Sequence, residues 1–417
     1  MKVLIIHDLY SLGGGTERTV LLLIKYLEKI GHEVVFIHGD EPDAESKLYH
    51  SGRAYRIPEL FEYRITSKYR KLGFRELKEI IEAESPDVIH LVHFYNPWIV
   101  KELIKLRPTV RAVHLPWIYC PGGQRFSLNK YRVCSYRFGV GCIIRNISNK
   151  CAFMANREPF SFLGVVMRVL ECYQERQINS RLSKIIANSE YTKSELVKAG
   201  YRANQVLVVY PPVELYDNYI NNEEAGEFIL FVGRLIFIKG VDHLIRAIKL
   251  LKTRILLVIV GDGPERDNLE KLSFSSGIND KVRFVGKVNT DELINYYKLC
   301  NLIVIPSLCP ESFGLSGIEA IAYGKPVVAY NTGGIKEWLV DGITGYLINP
   351  GDINGLTDKI SLILSNPELS NKMGIAGMER AKLFSVEAHT KKMLEIYEKA
   401  VKNFHGKFSL QPLGGML

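Results

Sequence analysis

The chain has 417 residues, 47% hydrophobic and 24% charged, with a formal net charge of +9. Such a composition is globular, the length favours two or three domains, and no uncharged run reaches the roughly eighteen residues a membrane-spanning helix needs. The opening apolar run Val3–Ile6 meets Asp8 too soon for a signal peptide, and seven cysteines without a secretion signal point to a reduced, cytoplasmic protein.

Charge is unevenly placed. Residues 1–210 carry 31 Lys and Arg against 21 Asp and Glu, whereas residues 211–417 carry 23 against 24. Residues 123–184 alone carry 11 basic against 3 acidic side chains. A basic first half suits an anionic partner, a lipid surface or nucleic acid, unless these cations merely solvate loops.

In chain order, Lys2–His7 reads as a buried strand, followed by Gly13-Gly14-Gly15-Thr16-Glu17-Arg18 and a helix with apolar Val20, Leu23, Ile24 and Leu27. Strand, glycine turn and helix open a nucleotide-binding βαβ unit, but the G-x-G-x-x-G spacing of a dinucleotide fold is missing. Glu33–His38 is a second strand, and residues 41–85 read as a polar excursion with a helix over about 74–83. Asp87–His93 and Thr109–Leu115 read as parallel strands. His114 ends the latter, at the sheet edge where α/β folds bind ligands, and is a candidate site residue set against an ordinary structural histidine.

The next stretch is irregular. Cys120, Cys134, Cys142 and Cys151 fall within 32 residues, among several arginines. Four thiolates suit zinc or an iron–sulfur cluster, but no C-x-x-C knuckle is present, so unligated thiols fit as well. Residues 160–182 carry a helical stripe (Phe162, Val165, Val166, Val169, Leu170, Tyr173, Leu182) expected to face the core, with the basic loops beside it as membrane candidates. Ile185–Asn188 is a strand, Thr192-x-x-Glu195 a capping box, Tyr210-Pro211-Pro212 a domain exit and 214–227 a linker.

The second half repeats the rhythm: apolar strands end in glycine turns at Gly233, Gly261-Asp262-Gly263 and Gly286. Arg234 and Lys239 lie five apart on the first turn: as surface charges they contribute little, but two cations aimed at one diphosphate could replace a divalent metal, and the chain has no Asp-x-Asp. Residues 302–339 read as strand, acidic loop, helix and strand, with Glu311 in the loop and Glu319, eight positions on, in the helix. Gly314 opens that helix, whose N-terminal N–H groups and dipole welcome an anion, while the two carboxylates suit sugar hydroxyls. Beyond Asn349 the chain reads as helical to about Lys402, with a frayed end.

GGGTER, Asn188-Ser189-Glu190, GRLIFIKG, GDGPE and ESFGLSGIEA form one ordered set that resembles the retaining, nucleotide-sugar-dependent glycosyltransferases of family 4. The resemblance implies an α/β GT-B fold, two Rossmann-like parallel-sheet domains facing a cleft. On that basis 1–212 is the acceptor-side domain, with the basic cysteine-containing insert at about 118–158, and 213–385 is the donor domain. Residues 386–402 form a helix returning toward the first domain, and 403–417 a flexible tail.

Carried over from the family, Arg234 and Lys239 hold the donor diphosphate, Glu319 the ribose, and Glu311 the transferred sugar. The N–H groups of Gly314 and Leu315 cap the distal phosphate, in a pocket shared with Gly233. His114, Gly14 and Gly15 approach from the acceptor side. The expected donor is a UDP- or GDP-sugar with no cofactor or catalytic metal required. The expected acceptor is a glycan or lipid-linked molecule in cell-surface polysaccharide or glycolipid synthesis, at the inner membrane face and without nucleic acid. The alternatives are a catalytically silent nucleotide-sugar-binding partner in a polysaccharide assembly complex and a sugar-nucleotide epimerase or phosphorylase on the same scaffold.

Overall fold

The computed structural model describes residues 1–10, 14–42, 46–61, 67–127, 132–149, 151, 162–216 and 228–409. Its strands form two wholly parallel sheets and one hairpin. The first sheet uses β1 (Lys2–Ile6), β2 (Glu33–His38), β3 (Arg53–Arg56), β4 (Val88–Val92) and β5 (Thr109–Val113). After the antiparallel hairpin of β6 (Phe126–Ser127) and β7 (Arg132–Val133), it is completed by β8 (Lys184–Ala187) and β9 (Val206–Val208). The second sheet contains β10 (Phe228–Val232), β11 (Leu256–Val260), β12 (Val282–Gly286), β13 (Leu302–Ile305), β14 (Val327–Tyr330) and β15 (Gly345–Ile348).

The spatial orders are β3-β2-β1-β4-β5-β8-β9 and β12-β11-β10-β13-β14-β15. In each, the chain leaves its first strand in one direction and later resumes on that strand's other side, between β1 and β4 and between β10 and β13. Crevices open at the carboxyl ends of strands where the order reverses in this way. The strands are near-continuous apolar runs because helices cover both faces.

Those helices are α1 (Gly15–Lys29), α2 (Ser67–Glu84), α3 (Pro97–Leu106), α4 (Gly141–Asn149), α5 (Phe162–Asn179) and α6 (Glu190–Lys198) in the first unit. The second unit has α7 (Val241–Leu250), α8 (Arg266–Ser275), α9 (Thr290–Leu299), α10 (Leu315–Ala322), α11 (Ile353–Leu364) and α12 (Pro367–Ala381). A last helix, α13 (Val386–Ser409), lies back on the first unit, where Met393, Ile396, Tyr397 and Ala400 share a core with Val20, Leu23 and Leu27 of α1. The Tyr397 hydroxyl and His90 Nδ1, 2.8 Å apart, fix its register.

Several local expectations are corrected. The edge strand β3 was hidden because Arg53-Ala54-Tyr55-Arg56 is mostly exposed and lacks an apolar run. The α6 cap is Ser189, whose hydroxyl accepts from the Thr192 N–H, rather than a box begun at Thr192. The stripe on α5 splits: Val165 and Val169 are buried, but Phe162 and Leu170 face outward. The final helix continues to Ser409, so the part of the expected tail from 403 to 409 is helical. Most of the expected linker, residues 217–227, lies outside the described residues.

The two units meet across a cleft. The carboxylate of Glu337 accepts the Glu190 and Tyr191 N–H groups at 2.7 and 2.9 Å, so the second unit caps the start of α6. Arg18 on α1 donates to Glu214 at 2.9 Å, and its Nε lies 3.6 Å from Glu319 on α10.

Candidate active site in the interdomain cleft

The cleft encloses about 1010 Å³. Its walls bring together all ten residues that the sequence assigned to donor and acceptor: Gly14, Gly15, His114, Gly233, Arg234, Lys239, Glu311, Gly314, Leu315 and Glu319. They reach it because each follows a strand at the carboxyl edge of its sheet or sits on the helix that comes next, the placement a doubly wound fold dictates.

On the second unit's wall, β10 runs out through Gly233 and exposed Arg234 to a one-turn 3-10 helix, Phe237–Lys239. Gly240 ends that turn at φ 64°, and an added Cβ there would overlap the Pro306 carbonyl. Only glycine therefore lets the Lys239 turn sit against the loop that leaves β13. From that loop Glu311 meets the lysine: Lys239 Nζ lies 2.6 Å from Glu311 Oε1, and the Ser307 hydroxyl donates to the same oxygen at 2.5 Å. Gly333 closes the other side, at φ 59° and with its Cα against the Glu311 carbonyl, which accepts the Gly334 N–H at 2.8 Å.

The pair is ionised. Burial alone would raise the Glu311 carboxyl, but the Lys239 ammonium and the Ser307 hydroxyl overcome it and hold the group below the usual carboxylate range. Burial likewise opposes the charge on Lys239, and Glu311 outweighs it and raises that group. A largely buried carboxylate and ammonium, both facing the cleft, give it fixed charges of each sign.

Gly314, at φ 90°, precedes α10 and leaves the first N–H groups of that helix facing the cleft. One turn in, Glu319 accepts a 2.7 Å hydrogen bond from the buried Tyr297 hydroxyl on α9. Burial, then the Glu319 charge, pushes the Tyr297 phenol well above its usual range, so it stays a donor. The Arg18 guanidinium approaches Glu319 from the other unit, and Gly15 lies where an added Cβ would come 2.5 Å from Leu315 Cδ1.

On the first unit's wall His114 is buried, with His93 next to it at 6.2 Å between ring centroids and His7 5.3 Å beyond His93. Burial first, then these neighbours, hold His114 well below the usual histidine range and lower His93 to about 4. A neutral imidazole at the cleft wall donates from one nitrogen and accepts at the other, which suits a hydroxyl-rich ligand. Beneath it, His7, Glu17 and His93 bring ligand atoms within 4.8 Å of one another, outside the cleft lining.

Sequence reasoning missed Arg18, Tyr297 and the histidines behind His114. Arg18 stood in the glycine motif, but its carboxylate partners lie far along the chain. Tyr297 lies on α9, and nothing local in the sequence marks its hydroxyl.

Two stacked parallel-sheet units with a charged, glycine-lined crevice between their switch points define the GT-B class. Residues 214–380 match the family of glycosyl transferases group 1, and residues 13–149 match glycosyltransferase family 4. Between them the two matches span most of the chain, which is an enzyme of the glycosyltransferase class and carries the marks of family 4.

Among its relatives is an uncharacterized glycosyltransferase of Methanocaldococcus jannaschii, 27% identical over 95% of this chain and 98% of that one. D-inositol 3-phosphate glycosyltransferase of Mycolicibacterium smegmatis is 30% identical over 57% of this chain, and the match spans only 58% of that enzyme. Sucrose-phosphate synthase of Thermosynechococcus elongatus superposes with a TM-score of 0.73 at 22% identity, covering 96% and 99% of the two chains. An Anabaena protein, HepE, solved with UDP and glucose, superposes with a TM-score of 0.69 at 20% identity over 95% and 99%. At these identities the two structures speak to the fold.

Proposed function

We propose that the chain is a retaining, metal-independent glycosyltransferase that moves a sugar from a UDP- or GDP-sugar to a glycan or lipid-linked acceptor. The observation that carries this reading is the convergence of Arg234, Lys239 and the start of α10 on the wall that also holds Glu311. Glycosyl transfer breaks a C–O bond through an oxocarbenium-like state while negative charge gathers on the departing phosphate. Fixed cations and a helix terminus placed where that charge appears stabilise it without reorganising. In this reading Arg234 and Lys239 bind the diphosphate, and the Gly314 and Leu315 N–H groups cap its distal end. Glu319, oriented by Tyr297 and Arg18, takes the ribose hydroxyls. Glu311, ionised beside the anomeric carbon, steadies positive charge there, and neutral His114 orients a hydroxyl from the acceptor side. The UDP held by the Anabaena neighbour supports a uridine donor by analogy.

The acceptor reading rests on the surface of the first unit. Val140, Ile144, Phe162, Leu163, Met167 and Leu170 are all exposed, beside Arg137, Arg145 and Arg168. Exposed apolar side chains in a basic stretch of chain suit the headgroup boundary of an anionic bilayer, where a lipid-linked acceptor would be presented. Among the described residues no helix is long and apolar enough to cross a membrane.

A thermal-shift screen against UDP-, GDP- and ADP-sugars tests the donor, because a ligand that binds only the native form raises the melting temperature. No shift with any of them would overturn the reading. Flotation with anionic vesicles at low salt tests the membrane face, and failure to float would remove it.

A further inference from the structure

The insert after β5 holds four of the chain's seven cysteines, and the fold gathers them. Cys120 follows the 3-10 turn Pro116–Ile118, Cys134 follows β7, Cys142 lies in the first turn of α4, and Cys151 comes after that helix. All four line one small cavity of about 40 Å³, and the remaining Cys172, Cys300 and Cys309 do not.

Thiols also pack as small apolar groups, and that alternative predicts a filled interior with no polar interest in the sulfurs. The cavity has neither property. The guanidinium of Arg125 lies 3.9 Å from Cys134 Sγ, and that of Arg145 lies 3.6 Å from Cys142 Sγ. Arg125 is itself fixed: it pairs with Glu195, donates to the Tyr136 carbonyl at 2.6 Å, and holds φ 54°, a left-handed conformation that a side chain rarely adopts. Donors aimed at sulfur suit thiolates, and two guanidiniums offset the negative charge that four thiolates leave around a metal.

We propose that Cys120, Cys134, Cys142 and Cys151 hold a thiolate-bound metal centre. On binding, each thiol releases its proton to solvent and its sulfur donates a lone pair to the metal, with no change of oxidation state. Among the described residues no three of these thiols stand within 4.8 Å of one another. A single zinc ion, at about 2.3 Å from each sulfur, would draw them to edges of roughly 3.8 Å. An iron–sulfur cluster, assembled from iron and inorganic sulfide, holds its four cysteines farther apart than a single zinc does, so metal analysis separates the two. Such a centre would fold an insert poor in apolar residues and set the cleft wall beyond His114. The inference does not depend on the donor or acceptor proposed above.

The test uses the full-length chain, made without a histidine tag and purified without oxygen, assayed for iron, acid-labile sulfide and zinc and by visible absorption. Iron and sulfide in equal amounts, with colour bleached by dithionite, identify a cluster. Stoichiometric zinc identifies a mononuclear centre whose sulfurs contract on binding. Cys134→Ala and Cys142→Ala should each lower the metal to background, while Cys172→Ala retains it. Should the first two fail to fold, wild-type metal content and reconstitution with iron and sulfide, or with zinc, decide the matter. A cooperatively melting wild-type chain that holds well under one equivalent and takes up neither on reconstitution overturns the proposal, as does metal that both variants keep.

Discussion

Replacing Lys239 by methionine separates two effects that meet at one nitrogen. Methionine keeps most of the stem while removing the charge and the donors. A charge-assisted hydrogen bond to phosphate is worth roughly 1.5–3 kcal/mol, and deleting one preorganised donor to a developing anion costs on the order of 10²–10³ in kcat. The second effect falls on Glu311, 2.6 Å away. Burial pushes that carboxyl up, and the ammonium does most to hold it down. In Lys239→Met only the Ser307 hydrogen bond still opposes burial, so the acid limb of the kcat–pH profile moves to higher pH. A carboxyl depressed in the fold contributes stability that is present above its unfolded pKa and lost as pH falls through the folded one. The variant therefore also loses part of its stability margin at neutral pH, and its melting temperature falls less steeply in acid. Arg234→Met is the control: it should lose comparable turnover, while its acid limb stays put because Glu311 keeps its lysine. The assay is release of nucleoside diphosphate from the donor identified by thermal shift, measured across pH for both variants. Near-normal turnover of Lys239→Met, or identical acid limbs in the two variants, would refute the reasoning.

Removing the Tyr297 hydroxyl with Tyr297→Phe deprives Glu319 of its 2.7 Å donor, which at about 1 kcal/mol should weaken nucleotide binding about fivefold by calorimetry. Gly15→Ala places a methyl 2.5 Å from Leu315 Cδ1, so it should lower turnover on the order of tenfold by spreading the two walls, while UDP binding to the second unit stays near wild type. Burial lowers His90 to about 3 and His93 and His389 to about 4. Their contribution to stability is complete above the unfolded value of about 6.5 and is lost as pH falls toward 4, at about 1.4 kcal/mol for every tenfold by which the fold weakens each ring's hold on a proton. Melting temperatures should therefore fall between pH 7 and pH 5, above the range where carboxylates titrate. His90→Asn, which keeps a polar partner for Tyr397, should flatten that slope, and a flat wild-type profile would contradict the assignment.

The fold was readable because a parallel sheet covered on both faces writes itself as short apolar runs closed by tight turns, and Ile229–Val232 before Gly233 and Leu257–Val260 before Gly261 are such runs. Elements lacking that pattern escaped. β3 is an exposed edge strand, and α5 carries apolar residues on faces that meet solvent, so its periodicity pointed to more burial than the fold provides. The four cysteines illustrate the same limit. Their spacing follows no knuckle, and their convergence depends on a hairpin and a helix whose mutual placement no local pattern records.

The candidate site divides along the same line. Arg234, Lys239, Glu311 and Glu319 belong to one unit and were legible because short loops at one sheet edge deliver them to one wall. What completes them comes from docking. Arg18 reaches Glu319 only because α13 packs on α1 and Glu337 caps α6, contacts that hold the first unit's glycine turn against α10. A residue whose partner lies in the other unit leaves no periodic trace, since its identity is constrained by a distance across the cleft instead of by its neighbours in sequence. The cleft is thus assembled twice, once by local folding of each sheet edge and once by the contacts that close the two edges on one another. Changes at α13 or Glu337, remote from any reacting atom, should therefore act on turnover through the position of Arg18 and Gly15 while leaving the Lys239–Glu311 pair intact.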